Sequence, residues 1–176
     1  GINDLLQYRL PDYDLVFQFS PQDFTQVNLP VNRLLVARAI ELLDIDSSDK
    51  VYDGFCGIGN FSLAISRFAG EVTGAEQSVS SIARARENAR LNGVENVSFV
   101  VEDLHLETRG VNGLQGFNKV LLDPPRSGAE AMVKRLAYSN VDRVVYVSCN
   151  PVTLVRDIGV LEAQGFQLRS AGIIDM

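Results

Sequence analysis

The sequence predicts an α/β fold in which helices cover both faces of a mainly parallel β-sheet. From about residue 50, short runs rich in β-branched residues alternate with helical patterns, which is typical of repeated strand–helix units. Most of these runs are almost continuously apolar, as is expected of parallel strands buried on both faces. The predicted strands are residues 50–55, 71–75, 97–101, 119–122, 143–148 and 166–174.

Start and stop signals define two of the intervening helices. Residues 79–91 follow Ser78, which is a favourable N-cap, and a glycine that favours termination comes soon after them. Residues 151–164 begin with a proline after Asn150, the predicted N-cap, and a glycine follows their end. The second of these helices therefore begins almost directly after a predicted strand.

The first 49 residues have a different pattern and are predicted to be a lead-in segment that packs on a core of residues 50–176. Residues 6–19 are predicted to be extended, as a hairpin, and residues 32–43 carry apolar side chains at helical spacing. A chain of 176 residues is expected to form one domain around a single core.

Composition and charge narrow the functional class. No apolar run approaches the roughly 20 residues that cross a bilayer. The two cysteines are too few for a disulfide scaffold or a four-cysteine metal site. The net charge of −6 argues against a stand-alone nucleic-acid binder, because phosphate neutralisation dominates such binding. We therefore expect a cytoplasmic protein with no membrane partner and no metal in this chain.

A glycine-rich turn follows the first predicted strand of the core. Asp53 is followed by Gly-Phe-Cys-Gly-Ile-Gly-Asn, in which the glycines permit positive φ and a close approach of a ligand to the backbone. Glu76 ends the next strand, about twenty residues after Gly57, where a carboxylate can bind both ribose hydroxyls of a nucleoside. Gly57, Gly59 and Glu76 together indicate a nucleoside-containing cofactor, whereas the glycines alone would indicate only a turn.

Carboxylates also follow the third and fourth predicted strands. Asp103, after Glu102, either accepts a hydrogen bond from an adenine amino group or caps a helix. Asp123 precedes Pro124 and Pro125, and a proline keeps the residue before it in extended geometry. We expect Asp123 to be fixed at the strand tip beside the cofactor. An enzyme that transfers a methyl group needs polar side chains held in such fixed positions near that group.

The cysteines are predicted to differ in role. Cys149 ends the fifth strand, directly before a helix cap, and the partial positive charge of a helix N-terminus favours a thiolate. We predict that Cys149 is a nucleophile and that Cys56 is a small buried apolar residue. His105 is the only histidine in the chain, and we expect it at the surface. These features gather where open α/β sheets bind their ligands, at the carboxyl ends of the strands.

Four segments resemble the RNA 5-methyluridine methyltransferases in order and spacing. They are residues 24–28 (Phe-Thr-Gln-Val-Asn), the turn of residues 53–60, residues 122–126 (Leu-Asp-Pro-Pro-Arg) and residues 148–151 (Ser-Cys-Asn-Pro). The resemblance extends from about residue 19 to the end of the chain. The segment of residues 23–28 is most similar to the bacterial 23S ribosomal RNA branch of the family.

The resemblance implies a Rossmann-like class I methyltransferase fold and S-adenosylmethionine as cofactor. The implied reaction is methylation of uracil C5 in RNA, expected to be 23S ribosomal RNA, through a covalent adduct between Cys149 and uracil C6. Asp123 and Arg126 would help to position the donor and the base. The residues implied to line the S-adenosylmethionine site are Gln26, Phe55, Asn60, Glu76, Asp103 and Asp123.

The resemblance also implies that this chain is a fragment of the catalytic domain. Relatives carry an N-terminal RNA-binding barrel, and many have an iron–sulfur cluster upstream. After the segment that matches residue 176 they continue with a glutamate general base and a final strand. We expect these parts to lie outside the chain, which would account for its acidic charge, and we expect the chain alone to bind the donor or trap an adduct without turnover.

Three rival functions fit part of the pattern. Exocyclic-amine methyltransferases also use an acid or asparagine before two prolines, but they usually place an aromatic residue where Arg126 stands and need no Cys149. A non-catalytic nucleotide-binding module would leave Cys149 and Asp123 without a role. A nicotinamide dehydrogenase would explain the glycine turn and Glu76 but not the acid–proline–proline–arginine segment.

Overall fold

A computed structural model describes residues 5–21, 23, 28–107 and 114–175. Its strands are β1 (Leu6–Leu10), β2 (Leu15–Phe19), β3 (Lys50–Gly54), β4 (Glu71–Glu76), β5 (Val97–Val101), β6 (Lys119–Leu122) and β7 (Arg143–Tyr146). Its α-helices are α1 (Leu29–Leu43), α2 (Asn60–Ile65), α3 (Val79–Leu91), α4 (Glu130–Arg135) and α5 (Pro151–Ala163). None of the helices in this described part is long and apolar enough to cross a bilayer.

The central sheet has the strand order β5-β4-β3-β6-β7, and all neighbouring strands are parallel. The chain runs outward from β3 through β4 to β5 and then returns to the other side of β3 with β6. Gly54 of β3 lies opposite Leu122 of β6. The direction of strand addition therefore reverses between β3 and β6, and ligands of open α/β sheets bind at such a point.

Helices cover both faces of the sheet, as the sequence predicts. Successive strand residues point to opposite faces: Val51 and Leu121 belong to one buried cluster, whereas Tyr52 and Leu122 belong to the other. The first cluster also includes side chains of α1, α2, α3 and the hairpin formed by β1 and β2. The second includes side chains of α4 and α5. The parallel α/β fold is thus confirmed.

The lead-in segment forms a hairpin and a helix. β1 and β2 pair in antiparallel register, and Leu10, Leu15 and Phe17 are buried in the same cluster as the sheet side chains. α1 begins earlier than predicted because Asn28 caps it, accepting a hydrogen bond from the Val31 N–H. The hairpin prediction is confirmed, and the division of the chain at residue 49 stays a prediction.

The outer edge of β2 pairs with a helix. On α3, Asn88 exchanges two hydrogen bonds with the backbone of Gln18, at 2.8 and 3.2 Å. Asn92, one turn later, exchanges two with the backbone of Val16, at 2.8 and 2.7 Å. These four bonds join the hairpin to α3.

The predicted helix boundaries agree closely with the structure. α3 spans the predicted residues 79–91 and is capped by the side chain of Ser78, which accepts from the Ser81 N–H. α5 begins at the predicted proline and ends one residue before the predicted end. Two shorter helices, α2 and α4, follow β3 and β6 and are too short to show a clear periodicity in the sequence.

The predicted sixth strand, residues 166–174, is wrong. This segment forms no ladder in the described residues, and Leu168 and Ile173 are 58% and 98% exposed. A strand needs a neighbour for its N–H and C=O groups. Among the residues described, β7 pairs with β6 alone and no strand pairs with its other edge. The apolar pattern of the segment therefore has no partner that would order it as a strand.

Candidate active site

The turn between β3 and α2 is open to a ligand. Phe55, Gly57 and Gly59 have φ values of 63°, 54° and 93°, in the left-handed region. A Cβ atom added to Gly57 would meet nothing within 4 Å. The backbone at Gly57 thus borders open space. A positive φ is strained for a residue other than glycine, and such strain is frequent at functional sites. The conformation of Phe55 therefore indicates that this turn has a functional role.

Glu76 ties the glycine turn to the end of β4. One carboxylate oxygen accepts the Gly57 N–H at 3.3 Å, and the other accepts the Ser78 N–H at 3.1 Å. Each carboxylate oxygen has two lone pairs, so both keep acceptor capacity beyond these backbone bonds. Glu76 is partly buried at the sheet edge, which suits a carboxylate that orients two hydroxyl groups.

Asp53 is a buried carboxyl beneath the turn. It is fully inaccessible, and its Oδ2 accepts the Ser62 hydroxyl at 2.5 Å. Its other oxygen is buried without a hydrogen-bond partner in the described residues. Burial raises the pKa of Asp53 to about 7; the Ser62 hydrogen bond opposes the rise and the charge of Asp123 adds to it. Asp53 begins the glycine turn in the sequence, where no local pattern indicates a role for it.

We expect Asp53→Asn to remove part of the pH dependence of stability. The folded pKa near 7 exceeds the unfolded value of about 3.9, so the folded state binds an extra proton between these values. The unchanged protein therefore loses stability as pH rises from about 4 through 7, by up to a few kcal/mol. Asparagine still accepts from Ser62 but does not ionise. Urea unfolding at pH 5, 6.5 and 8 should show that the free energy of unfolding of the variant rises, relative to that of the wild-type protein, as the pH increases. A difference between the two proteins that is the same at all three pH values would contradict this prediction.

Asp123 lies directly after β6, as predicted. Its N–H donates to the Gly54 carbonyl at 3.3 Å, which fixes it beside the end of β3. The carboxyl is partly buried, and burial raises its pKa to about 7. The site therefore holds two carboxyls, of Asp53 and Asp123, whose pKa values are raised to about 7. A cationic ligand would favour their ionised forms.

Only one of the two acids after β5 is available to a ligand. Glu102 accepts hydrogen bonds from the Tyr52 hydroxyl at 2.9 Å and from Arg135 at 2.7 Å. Asp103 is exposed and accepts the His105 N–H at 3.0 Å within a turn. No helix begins there in the part of the chain described, so the helix-cap alternative for Asp103 is wrong. Its adenine-binding role stays a prediction.

Two of the aromatic rings border the same end of the sheet. The ring of Phe55 lies 5.5 Å from the ring of His105, centre to centre, at an angle of 55°. His105 is exposed, as predicted, and its contact with Phe55 brings the turn after β5 beside the glycine turn. The predicted residues Phe55, Glu76 and Asp103 therefore lie at or just beyond the carboxyl ends of β3, β4 and β5.

The side chain of Asn60 contacts the lead-in segment. Its amide exchanges two hydrogen bonds with Asn32, at 3.0 and 2.9 Å, and its oxygen also accepts the Tyr8 hydroxyl at 2.9 Å. Asn60 thus fixes α1 and the hairpin against the glycine turn. No local pattern in the sequence indicates these contacts, because the partners are far apart in the chain. Contact of Asn60 with a ligand stays a prediction. Gln26 lies outside the described residues.

The two cysteines differ as predicted in their exposure. Cys149 is exposed and Cys56 is buried. Cys149 lies directly before the cap of α5, where Asn150 accepts the Val152 N–H at 3.1 Å. An accessible thiol at a helix N-terminus has the access and the local dipole that nucleophilic chemistry needs. No group of three or more potential metal ligands is found in the described ranges.

Hydrogen bonds join Arg126 to the start of α5. Its backbone carbonyl accepts from the Asn150 side chain at 2.8 Å and from the Thr153 hydroxyl at 3.0 Å. The Arg126 residue is exposed. The loop after β6 and the turn after β7 are therefore held together. Asp123 and Arg126 consequently lie at the same end of the sheet as Cys149, beyond the carboxyl ends of β6 and β7.

Comparison with solved structures defines the class of protein. TYW2 of M. jannaschii, solved in complex with AdoMet, matches 94% of this chain with a TM-score of 0.71 at 18% identity, which shows the fold alone. The tRNA (uracil-54, C5)-methyltransferase of Pyrococcus abyssi, solved with S-adenosyl-L-homocysteine, matches with a TM-score of 0.77 and 32% identity over 90% of this chain and 38% of that chain. The fold is that of the Rossmann-like methyltransferases.

The chain belongs to the tRNA (uracil-5-)-methyltransferase family, whose model matches residues 3–175. The 23S rRNA (uracil(1939)-C(5))-methyltransferase RlmD of Hahella chejuensis is 48% identical over 98% of this chain and 40% of its own length. RlmD of Psychrobacter arcticus is 49% identical over 97% of this chain and 34% of its own. The chain thus spans well under half the length of these relatives.

Proposed function

We propose that this chain is the donor-binding catalytic core of an S-adenosylmethionine-dependent RNA uracil-C5 methyltransferase that acts on 23S ribosomal RNA in the cytoplasm. The observation that carries the proposal is the exposed thiol of Cys149. The next residue, Asn150, is hydrogen-bonded to the loop of Arg126, at the same end of the sheet as the glycine turn. The names of the RlmD relatives support the substrate, and the family membership supports the reaction.

The residues of the site fit S-adenosylmethionine. The open backbone at Gly57 admits a ligand, and the Glu76 carboxylate beside it suits the ribose hydroxyls. Asp103 is exposed at the neighbouring turn, where it suits the adenine amino group. Asp53 and Asp123 offer carboxyls that favour a cationic ligand. We assign Phe55, Gly59, Asn60 and Gln26 to the same site.

The chemistry needs a nucleophile because uracil C5 is unreactive towards a methyl donor. When bound, S-adenosylmethionine would supply an electrophilic methyl group and would leave as S-adenosylhomocysteine, with the electron pair of the broken carbon–sulfur bond on sulfur. Cys149 adds as a thiolate to C6, and the electron pair of the C5–C6 double bond makes C5 an enolate carbon that takes the methyl. A base then removes the C5 proton, the electron pair re-forms the double bond, and Cys149 leaves as a thiolate.

Asp123 and Arg126 position the reactants in this proposal. Asp123 is fixed by its main chain at the tip of β6, beside the end of β3, and we assign its carboxylate to the donor. Arg126 is exposed on the loop beside Cys149, where its guanidinium can hold the uracil by its carbonyl oxygens. The target uridine must leave its stack to reach Cys149. RNA is therefore the proposed partner.

The proposal is tested by donor binding and by covalent capture of RNA. Calorimetric titration should show binding of S-adenosylmethionine and no binding of NAD. The full-length protein should also form a complex with 23S RNA containing 5-fluorouridine that survives denaturing electrophoresis, because fluorine at C5 cannot leave as a proton does. Binding of NAD alone, or absence of capture in the presence of the donor, would refute the proposal.

A further inference from the structure

The loop after β6 lies along one face of α5. Besides the bonds to the Arg126 carbonyl, the Ser127 carbonyl accepts from Arg156 at 3.0 Å, and the Ala129 N–H donates to Asp157 at 2.7 Å. The α5 residues that make these contacts are spaced over the first two turns of the helix. Residues 126–129 are therefore attached to α5 by hydrogen bonds of their main chain.

Asp157 is the buried centre of these contacts. It has no exposed surface, yet four donor groups surround its carboxylate. Oδ2 accepts the Ala129 N–H at 2.7 Å and the Tyr146 hydroxyl at 2.5 Å. Oδ1 accepts Nε of Arg156 at 2.9 Å, and an Nη of Arg156 lies 2.9 Å away. Three hydrogen bonds and the ion pair with Arg156 therefore stabilise the buried carboxylate.

Gly128 allows the loop to approach Asp157 closely. Its φ is 80°, and an added Cβ would lie 2.8 Å from Oδ2 of Asp157 and 2.6 Å from a nitrogen of Arg156. Only glycine has both the backbone freedom and the absence of a side chain that this approach requires. The loop thus turns at Gly128 and packs directly against the buried carboxylate of Asp157.

We propose that Asp157 is a positioning residue for the methyl transfer, which fixes residues 126–129 on α5 and so sets the position of Arg126 relative to Cys149. The inference rests on the proposed function. Cys149 and Asn150 lead directly into α5, and Asp157 lies on the same helix. A loop and a nucleophile attached to one helix move as a unit, which keeps the base aligned with the thiolate during addition.

Asparagine is the sharpest replacement because it has the size of aspartate but one acceptor oxygen. In Asp157→Asn, the amide NH₂ faces two of the four donors, and the charge that holds Arg156 is lost. Displacement of reacting groups by about 1 Å can reduce a rate about 100-fold. The matched control is Glu162→Gln, which makes the same chemical change on the same helix at an exposed position.

The experiment uses the full-length protein and measures three quantities for each variant. They are the capture rate of 5-fluorouridine RNA at saturating RNA, the affinity for S-adenosylmethionine, and hydrogen exchange of the peptide containing Ala129. We expect Asp157→Asn to slow capture about 10- to 100-fold, to change donor affinity less than threefold, and to speed exchange. Glu162→Gln should change none of the three. An unchanged capture rate in Asp157→Asn overturns the proposal.

A second pair of variants tests whether the contacts with α5 position Arg126, in case Asp157→Asn fails to fold. Thr153→Val removes the hydroxyl that donates to Arg126 and keeps the side-chain shape, whereas Thr153→Ser keeps the hydroxyl. Slower capture in the valine variant with recovery in the serine variant supports the positioning of Arg126, and equal rates overturn it. If the wild-type protein captures no RNA, the proposed function is wrong and the positioning role of Asp157 is wrong with it. Faster hydrogen exchange in Asp157→Asn would then show only that Asp157 stabilises the loop.

Discussion

Replacing Cys149 with alanine is expected to lower the rate of methyl transfer to RNA by roughly 10⁴-fold or more, because removal of a catalytic nucleophile typically has effects of this size. Without thiolate addition at C6, uracil C5 has no enolate character and does not attack the methyl group. Single-turnover transfer of a tritiated methyl group measures the effect. Donor affinity should stay within about twofold, because Cys149 is exposed just before α5 and the residues that we assign to the donor lie in other segments.

Cys149→Ser is the matched variant for this experiment. Serine keeps a side chain of similar size that still ends in a polar atom, but its hydroxyl is a far weaker nucleophile than a thiolate. Both variants should therefore lose capture of 5-fluorouridine RNA. Full methyl transfer by Cys149→Ala would exclude the uracil-C5 route and favour methylation of an exocyclic amine, which needs no cysteine.

Affinity for S-adenosylmethionine is expected to fall about 50-fold between pH 7 and pH 5 if one carboxyl of pKa about 7 must ionise for binding. The donor carries a positive sulfonium, which favours the carboxylate of Asp123 over its neutral form. A carboxyl with a pKa of about 7 is about half ionised at pH 7 and about 1% ionised at pH 5. Ionisation of Asp53, whose pKa is also about 7, would steepen the dependence.

Calorimetry at pH 5, 6, 7 and 8 measures this dependence. Titrations at pH 6 in two buffers of different ionisation enthalpy give the number of protons released on binding, which we expect to be close to one or above. Asp123→Asn should bind the donor more weakly at pH 8 and should show a flatter pH dependence than the unchanged protein. An affinity that is constant from pH 5 to pH 8 would contradict the link between donor binding and carboxyl ionisation.

Local signals in the sequence predicted the parts of the fold that depend on neighbouring residues. The caps Ser78 and Asn150 lie where their residue types are most favourable, and both helices begin there. Apolar runs identified β3 to β7 because strands buried on both faces need apolar side chains throughout. The exposed Cys149 and the buried Cys56 were distinguished by their places relative to strand ends and helix starts.

Features that depend on distant partners could not be predicted in this way. Residues 166–174 have a strand-like composition, but a strand also needs a neighbour, and composition does not specify one. Asn60 was predicted from family resemblance to line the cofactor site, while its hydrogen bonds to Asn32 and Tyr8 join residues separated by 28 and 52 positions. Asp157 had one local signal, a charged residue seven positions after Asn150 and therefore on the same helical face.

The side-chain amides of Asn88 and Asn92 make helix α3 act as a third strand of the hairpin. An asparagine amide carries the same donor and acceptor as a peptide group. Residues four apart on a helix are separated by about 6 Å along its axis, close to the roughly 6.7 Å between alternate residues of a strand. The outer edge of β2 is therefore closed to an incoming strand, so this hairpin offers no template there for edge-to-edge aggregation.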